Sequence, residues 1–283
     1  GPQPVDFGSP NSYIYLLKTN ASGDSSWSKQ YKATDATEIA NNFDVFEDEA
    51  FEVQQTSDGG YILAGSVTMY VATSATSDFG YLMKVDSNGD SSWVNTYGKW
   101  PSLLKSVQQT TDGGYIVTGK ALKDSASADY GLYAAKLTST GDTTWTKVFG
   151  NVDPAWVNFA EGTSVKQTTD GGYVITGSIN NDSVGAGYDD IWMLRLNSTG
   201  DTLCTGVFGG TGNDFGEDVE ETSDGGFVIT GWEVWGTIYL IKTDATCKVT
   251  STTAINETDW NNNPGQEVIL YPNPLNKSSV LNF

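Results

Sequence analysis

The 283-residue chain carries 15 Lys+Arg against 35 Asp+Glu, a formal net charge of −20, and contains no histidine. So acidic a body repels nucleic-acid phosphates and anionic membrane surfaces, so neither is an expected partner, whereas proteins, glycans and cations are compatible with it. Without histidine there is no Ser-His-Asp or Cys-His catalysis of the ordinary kind and no histidine-bound zinc or iron. No cofactor is expected. The longest apolar runs, such as Tyr13–Leu17 and Ile238–Ile241, are strand-sized, so the chain is not expected to span a membrane.

Residues 1–12 read as a lead-in, with Gly1-Pro2 resembling the remnant of a protease site. Residues 13–253 are built from two interleaved repeating segments. One recurs four times, as Val53-Gln-Gln-Thr-Ser-Asp-Gly-Gly-Tyr-Ile-Leu-Ala-Gly65, Val107 to Gly119, Val165 to Gly177 and Val219 to Gly231. Its aspartate falls at 58, 112, 170 and 224. The other recurs five times, as Tyr15-Leu-Leu-Lys18, Tyr81-Leu-Met-Lys84, Tyr133-Ala-Ala-Lys136, Trp192-Met-Leu-Arg195 and Tyr239-Leu-Ile-Lys242. In its first four copies a Gly-Asp turn follows, with Trp27, Trp93, Trp145 and Cys204 three residues after the aspartate.

Each segment predicts a β-hairpin. Asp-Gly-Gly supplies the positive φ angles that a tight turn needs, and the flanking residues suit pleated strands. One repeat is then four antiparallel strands, A to D, in about 55 residues. Repeated four-stranded units predict an all-β propeller of about five blades, with four as the alternative. A single such sheet cannot bury both faces, so neighbouring blades must cover it. Trp27, Trp93 and Trp145 are expected to be buried between blades. The first C–D hairpin has no A–B hairpin before it. Its missing strands lie upstream, or are supplied by Pro4–Ser9 and the C-terminal region.

In strand order A–B–C–D, the short A–B and C–D turns share one face of the disc. The long, dissimilar B–C and D–A connections share the other, over roughly residues 32–49, 68–78, 99–104, 121–129, 151–161, 180–188, 209–216 and 232–236. Variable connections on a rigid scaffold are where binding usually resides. They carry Phe43, Phe46, Phe159, Phe215 and the acidic run Glu47-Asp48-Glu49. Trp100, Trp156, Trp232 and Trp235 answer to no slot of the repeat and are the candidate ligand-binding residues. Either they meet a glycan or protein, or they cap the blades as local core.

Other chemistry is less well supported. Asp86-Ser-Asn-Gly-Asp90 has oxygens spaced as in a calcium loop, but its counterparts do not keep the carboxylates and no bidentate glutamate follows. It reads as a hairpin turn, and metal binding stays open. The Gly-Asp turns with a following Trp resemble the Asp-box hairpins of sialidase propellers. Such a site needs several arginines, and Arg195 is the only one, in a slot otherwise held by lysine. A glycosidase using two carboxylates needs no histidine, but no pair stands out. Cys204 and Cys247 could pair. Equivalent slots on packed sheets would be roughly 10 Å apart, too far for a bridge, but the last hairpin is shortened, so its register leaves the bridge open.

Residues 254–266 are polar and read as a linker. Residues 267–283 include Val268-Ile-Leu270, Tyr271-Pro-Asn-Pro274 and Ser279-Val-Leu281. This run resembles the start of the C-terminal sorting domain of type IX secretion cargo in Bacteroidota, whose hallmark is Tyr-Pro-Asn-Pro after a short strand. The resemblance covers some 17 residues, so it implies a truncated domain. The Asp-Gly-Gly-Tyr and Gly-Asp-Thr-x-Trp repeats are similar to those of propeller-like surface proteins of the same bacteria. Four triplets beginning at Asp124, Asp142, Asp182 and Asp201 resemble that phylum's O-glycosylation sequon. The resemblance implies export to the cell surface or medium, with the type IX machinery as a partner through the tail. The function expected is a non-catalytic propeller binding a glycan or protein through the variable-connection face. A structural spacer and a carboxylate-dependent glycosidase are the alternatives.

Overall fold

The computed structural model describes residues 13–32, 45–72, 75–98, 101–123, 129–150, 159–180, 189–234 and 236–256. They form eighteen strands and, among the described residues, no helix. A hairpin of β1 (Ile14–Thr19) and β2 (Ser25–Tyr31) comes first. Four four-stranded antiparallel sheets follow in chain order. The first is β3 (Val45–Gln55), β4 (Tyr61–Ala72), β5 (Ala75–Val85) and β6 (Ser91–Tyr97). The second is β7 (Ser102–Gln109), β8 (Tyr115–Leu122), β9 (Tyr130–Leu137) and β10 (Thr143–Phe149). The third is β11 (Phe159–Gln167), β12 (Tyr173–Asn180), β13 (Asp189–Leu196) and β14 (Thr202–Phe208). The last is β15 (Asp214–Glu221), β16 (Phe227–Glu233), β17 (Thr237–Thr243) and β18 (Val249–Asn256). The architecture is all-β and propeller-like, with four complete blades and a fifth represented by a two-stranded hairpin. The last strand reaches Asn256, three residues past the expected end of the repeats.

The repeated residues explain the repeated geometry. In the first A–B turn, Gly59 adopts φ 83° and donates its N–H to the Thr56 carbonyl, while Asp58 accepts from the Gly60 N–H. The same aspartate reaches across its own sheet to a strand-C cation. Lys84 meets Asp58 at 2.9 Å, Lys136 meets Asp112 at 2.9 Å, Arg195 meets Asp170 at 2.6 Å and Lys242 meets Asp224 at 3.0 Å. The lone arginine is thus one of four equivalent cations. Asp86 turns its carboxylate onto its own backbone, accepting from the Asn88 and Asp90 N–H groups.

The sheets stack in sequence, and four apolar clusters fill the four joints between them. At the A strands, side chains of one sheet accept backbone N–H groups of the next. Gln54 receives Gln109 and Gln108 receives Gln167. At the D strands, the tryptophan of one sheet lies on the turn glycine of the next. A Cβ on Gly89 would come within 3.0 Å of the Trp27 ring, on Gly141 within 3.2 Å of Trp93, and on Gly200 within 3.0 Å of Trp145. The same rings meet Tyr61, Tyr115 and Tyr173 edge-on at 5.9, 6.0 and 5.8 Å. The Trp27 and Trp145 indole N–H groups bond the Ser87 and Ser198 carbonyls of the following turns. The three tryptophans do sit between blades but are only half-buried, because the turn they cover lies at the rim.

Cys204 and Cys247 are bridged, with Cα atoms 5.9 Å apart. The 10 Å spacing does not apply because the two cysteines occupy different slots. Cys204 takes the tryptophan slot of the third complete blade, opposite Arg195 as Trp93 is opposite Lys84. Cys247 takes the glycine slot of the last turn, donating its N–H to Asp244 as Gly89 does to Asp86. Its φ of 63° is the left-handed conformation of those glycines. The covalent bond replaces the Trp-on-Gly contact at one joint.

Both ends of the stack depart from this pattern. Ser251 lies opposite Lys242, in the tryptophan slot of the last blade. Among the described residues nothing lies within 4 Å of where a Cβ on Gly23 would sit, so no described aromatic covers the first turn. Among the described residues no apolar cluster joins the last sheet to the first.

The substitution of a disulfide for a Trp–Gly contact yields a test. Closing a loop of this length is worth of order 3–4 kcal/mol in the chain-entropy account, so Cys204→Ala with Cys247→Ala should lower the melting temperature by several degrees. Cys204→Trp with Cys247→Gly should recover much of that loss, because it restores the contact and removes a left-handed non-glycine residue costing about 1 kcal/mol. Thermal unfolding of both double variants checks this; equal melting points would refute the equivalence of the two joints.

Candidate ligand-binding surface

Of the four candidate tryptophans, Trp100, Trp156 and Trp235 lie outside the described residues. Trp232 is described, and it belongs to strand β16 rather than to the connection that follows. Phe159 starts β11, Phe215 is the second residue of β15, and the acidic run 47–49 is part of β3. Strand pairing therefore extends further into the variable edge than turn signals indicate.

Trp232 faces away from the rest of the molecule. Its register partners are Phe215 on β15 and Ile238 on β17, so the three make one row across the sheet. The neighbouring glycines, Gly216 and Gly231, point the opposite way, toward Ile191 of the preceding sheet. The equivalent slots in the other complete blades hold Ser66, Lys120 and Ser178, each turned toward a following sheet; the last sheet has none among the described residues. Trp232 is consequently 41% exposed, Ile238 51% and Val234 49%. The Trp232 ring lies 4.8 Å from that of Phe215 at 33°, and its indole N–H donates to Glu217 Oε1 at 2.6 Å. A fixed aromatic pair, an aliphatic flank and a carboxylate are thus gathered at the variable edge of the last blade. A second aromatic pair on that edge, Tyr130 and Phe159, is half-buried beneath Lys120 between the second and third complete blades.

The chemistry near this surface is carboxylate chemistry. Asp190 is the second residue of β13 and Asp214 begins β15, on either side of Gly209. A Cβ on Gly209 would lie 2.3 Å from Asp190 Oδ1 and 2.5 Å from Asp214 Oδ2, so the carboxylates face each other. Asp214 accepts the Gly210 N–H at 2.7 Å and bonds with Tyr239. Burial pushes the Asp214 carboxyl above the ordinary range, and burial with Asp214 nearby pushes the Tyr239 phenol up. Both aspartates are buried, at 2% and 0% exposure. A glycosidase pair must meet a sugar from both sides, and this pair is sealed. No group of three or more acidic or cysteine ligands disposed for a metal occurs among the described residues.

Two clefts of about 400 and 370 Å³ open between the first two complete blades. The larger is lined by Tyr97, Lys123, Tyr133 and Lys147. The smaller lies beside the tight turns and is lined by Asp58, Lys84, Trp93 and Tyr115. Neither includes Trp232. The tight-turn aspartates are held ionised. The Thr56 hydroxyl and then Lys84 bring Asp58 down to about 2, and Thr110 with Lys136 bring Asp112 to about 2.

No known protein family and no curated protein matches the chain. In structure it is similar to a Bacteroides caccae protein of unknown function, with a TM-score of 0.46 and 9% identity over 88% of this chain and 74% of that one. No described helix is long and apolar enough to cross a membrane.

The two kinds of aspartate give opposite pH signatures. Asp112 is depressed in the folded state, so its stabilisation is complete above the unfolded value near 4 and is lost as pH falls toward about 2. Asp112→Asn should therefore lower the melting temperature at pH 6 and have little effect at pH 2. Asp214 is raised, so its ionisation costs stability as pH rises above about 4. Asp214→Asn should melt higher than the parent at pH 7 and equal to it at pH 3. Melting curves of both variants from pH 2 to 7 test the two signs.

Proposed function

We propose that the chain is a non-catalytic binding module, exported to the cell surface or medium, that holds a protein or glycan at the variable edge of its last blade. One observation carries the reading. Trp232 is held open to solvent against Phe215, in a slot where the other blades place serine or lysine. An exposed indole forgoes stabilisation that burial would give, and exposed apolar surface of this kind usually marks a contact site. The aliphatic neighbours Ile238 and Val234 suit a protein surface. The indole with the Glu217 carboxylate beside it suits a sugar ring, which presents one apolar face and a rim of hydroxyls. Export rests on the resemblance of Tyr271-Pro-Asn-Pro274 to the type IX sorting signal; that tail lies outside the described residues.

The test pairs stability with binding. Trp232→Ala should lower the melting temperature by no more than about 4 °C, since an aromatic pair of this kind is worth about 1 kcal/mol. The same change should reduce, at least tenfold, binding to whichever glycan or envelope protein is retained in array and crosslinking screens of the parent. Retention unaffected by Trp232→Ala, or two blank screens, would favour the spacer reading.

A further inference from the structure

The first hairpin is half a blade, and what it lacks is specified by the other four. Lys18 lies opposite Trp27 in β1–β2, as Lys84 lies opposite Trp93, Lys136 opposite Trp145, Arg195 opposite Cys204 and Lys242 opposite Ser251. In those four blades the cation pairs with the aspartate of an Asp-Gly-Gly turn, carried by a hairpin bonded to the free side of strand C. Among the described residues β1 pairs only with β2. Lys18 has no such aspartate there, and its ammonium lies 5.6 Å from the Tyr61 ring centre.

The side chains of β1 agree. Ile14 and Leu16 pack on the following sheet, as Leu82 does on its own successor. Tyr15 and Leu17, in the slots of the fully buried Tyr81 and Met83, are 60% and 48% exposed. A strand with one edge unpaired among the described residues, an exposed apolar face and a cation placed to meet a turn aspartate is a template for strand addition. The geometry points to β1 as a docking edge for an extended β-hairpin whose tight turn carries an aspartate, registered so that this aspartate meets Lys18. Backbone pairing would supply affinity, while the Lys18–Asp contact and the apolar strip would set the register.

The molecule furnishes its own probe. A labelled peptide copying residues 102–122, the β7–β8 hairpin with Asp112 in its turn, is titrated into the full chain. Saturable binding is expected, weakened at least tenfold by Asp112→Asn in the peptide, a change that leaves the protein untouched. Lys18→Gln in the protein should weaken it to a similar degree and abolish the distinction between the two peptides. Amide exchange along β1 should slow when the peptide binds. Absence of binding, or binding indifferent to both substitutions, would overturn the proposal. So would β1 amides as protected in the free chain as those of β5, since the edge would then already be taken by the chain itself or a second copy.

Discussion

Everything in this molecule depends on a joint that works in one direction. At three of the four joints a sheet extends an aromatic from its last strand onto a glycine in the last turn of the next sheet. The glycine is needed twice over, for its left-handed conformation and because any side chain there would strike the indole. Tyr31 and Tyr97 reinforce the joint by donating their hydroxyls to the carbonyls of Gly89 and Gly141. Lys29 and Lys147 do so by pairing with Asp90 and Asp201. Hydrophobic burial alone is indifferent to register, and these directed contacts fix which turn each strand meets. The disulfide at the final joint shows that the constraint is positional, since two cysteines placed in the indole and glycine slots meet the same requirement by other means.

Much of this was legible in the sequence because turns punctuate it at fixed offsets. Asp-Gly-Gly and Gly-Asp set the hairpins, and alternation between them set which residues face which sheet. The disulfide was not legible, because aligning Cys247 with the tryptophans compares it with the wrong slot; alignment with Gly23, Gly89, Gly141 and Gly200 identifies its partner. Nor was the extent of the strands at the variable edge. Strand β4 pairs with β5 as far as Ala72 and Ala75, well past Gly65, where the repeating segment ends. There the ladder hydrogen bonds outweigh local propensity. Trp232 stands out in the sequence because the other blades carry Ser66, Lys120 and Ser178 at that slot, but its setting on a strand follows from pairing with Phe215, which no turn signal encodes.

The aspartates separate by surroundings in the same way. Those in the tight turns accept hydroxyl, amide and ammonium donors at the surface and stay charged, fixing the turn to its own sheet. Asp214 is enclosed with Tyr239 and opposite Asp190, where ionisation is disfavoured. With charge so heavily negative overall, placing four cations on turn aspartates neutralises part of the repulsion within the blades.

Among the described residues the apolar clusters join each unit only to its neighbours along the chain, so that part behaves much as a linear array with nearest-neighbour coupling. Cooperativity in such an array is strongest in the middle, and the ends fray first. Here the two ends are unequal. Among the described residues the last blade is tied covalently through Cys247, whereas the first hairpin holds on by one apolar joint. Among the described strands, tension or protease should therefore release β1–β2 before any complete blade opens. Its mechanical polarity is written in the placement of two sulfur atoms.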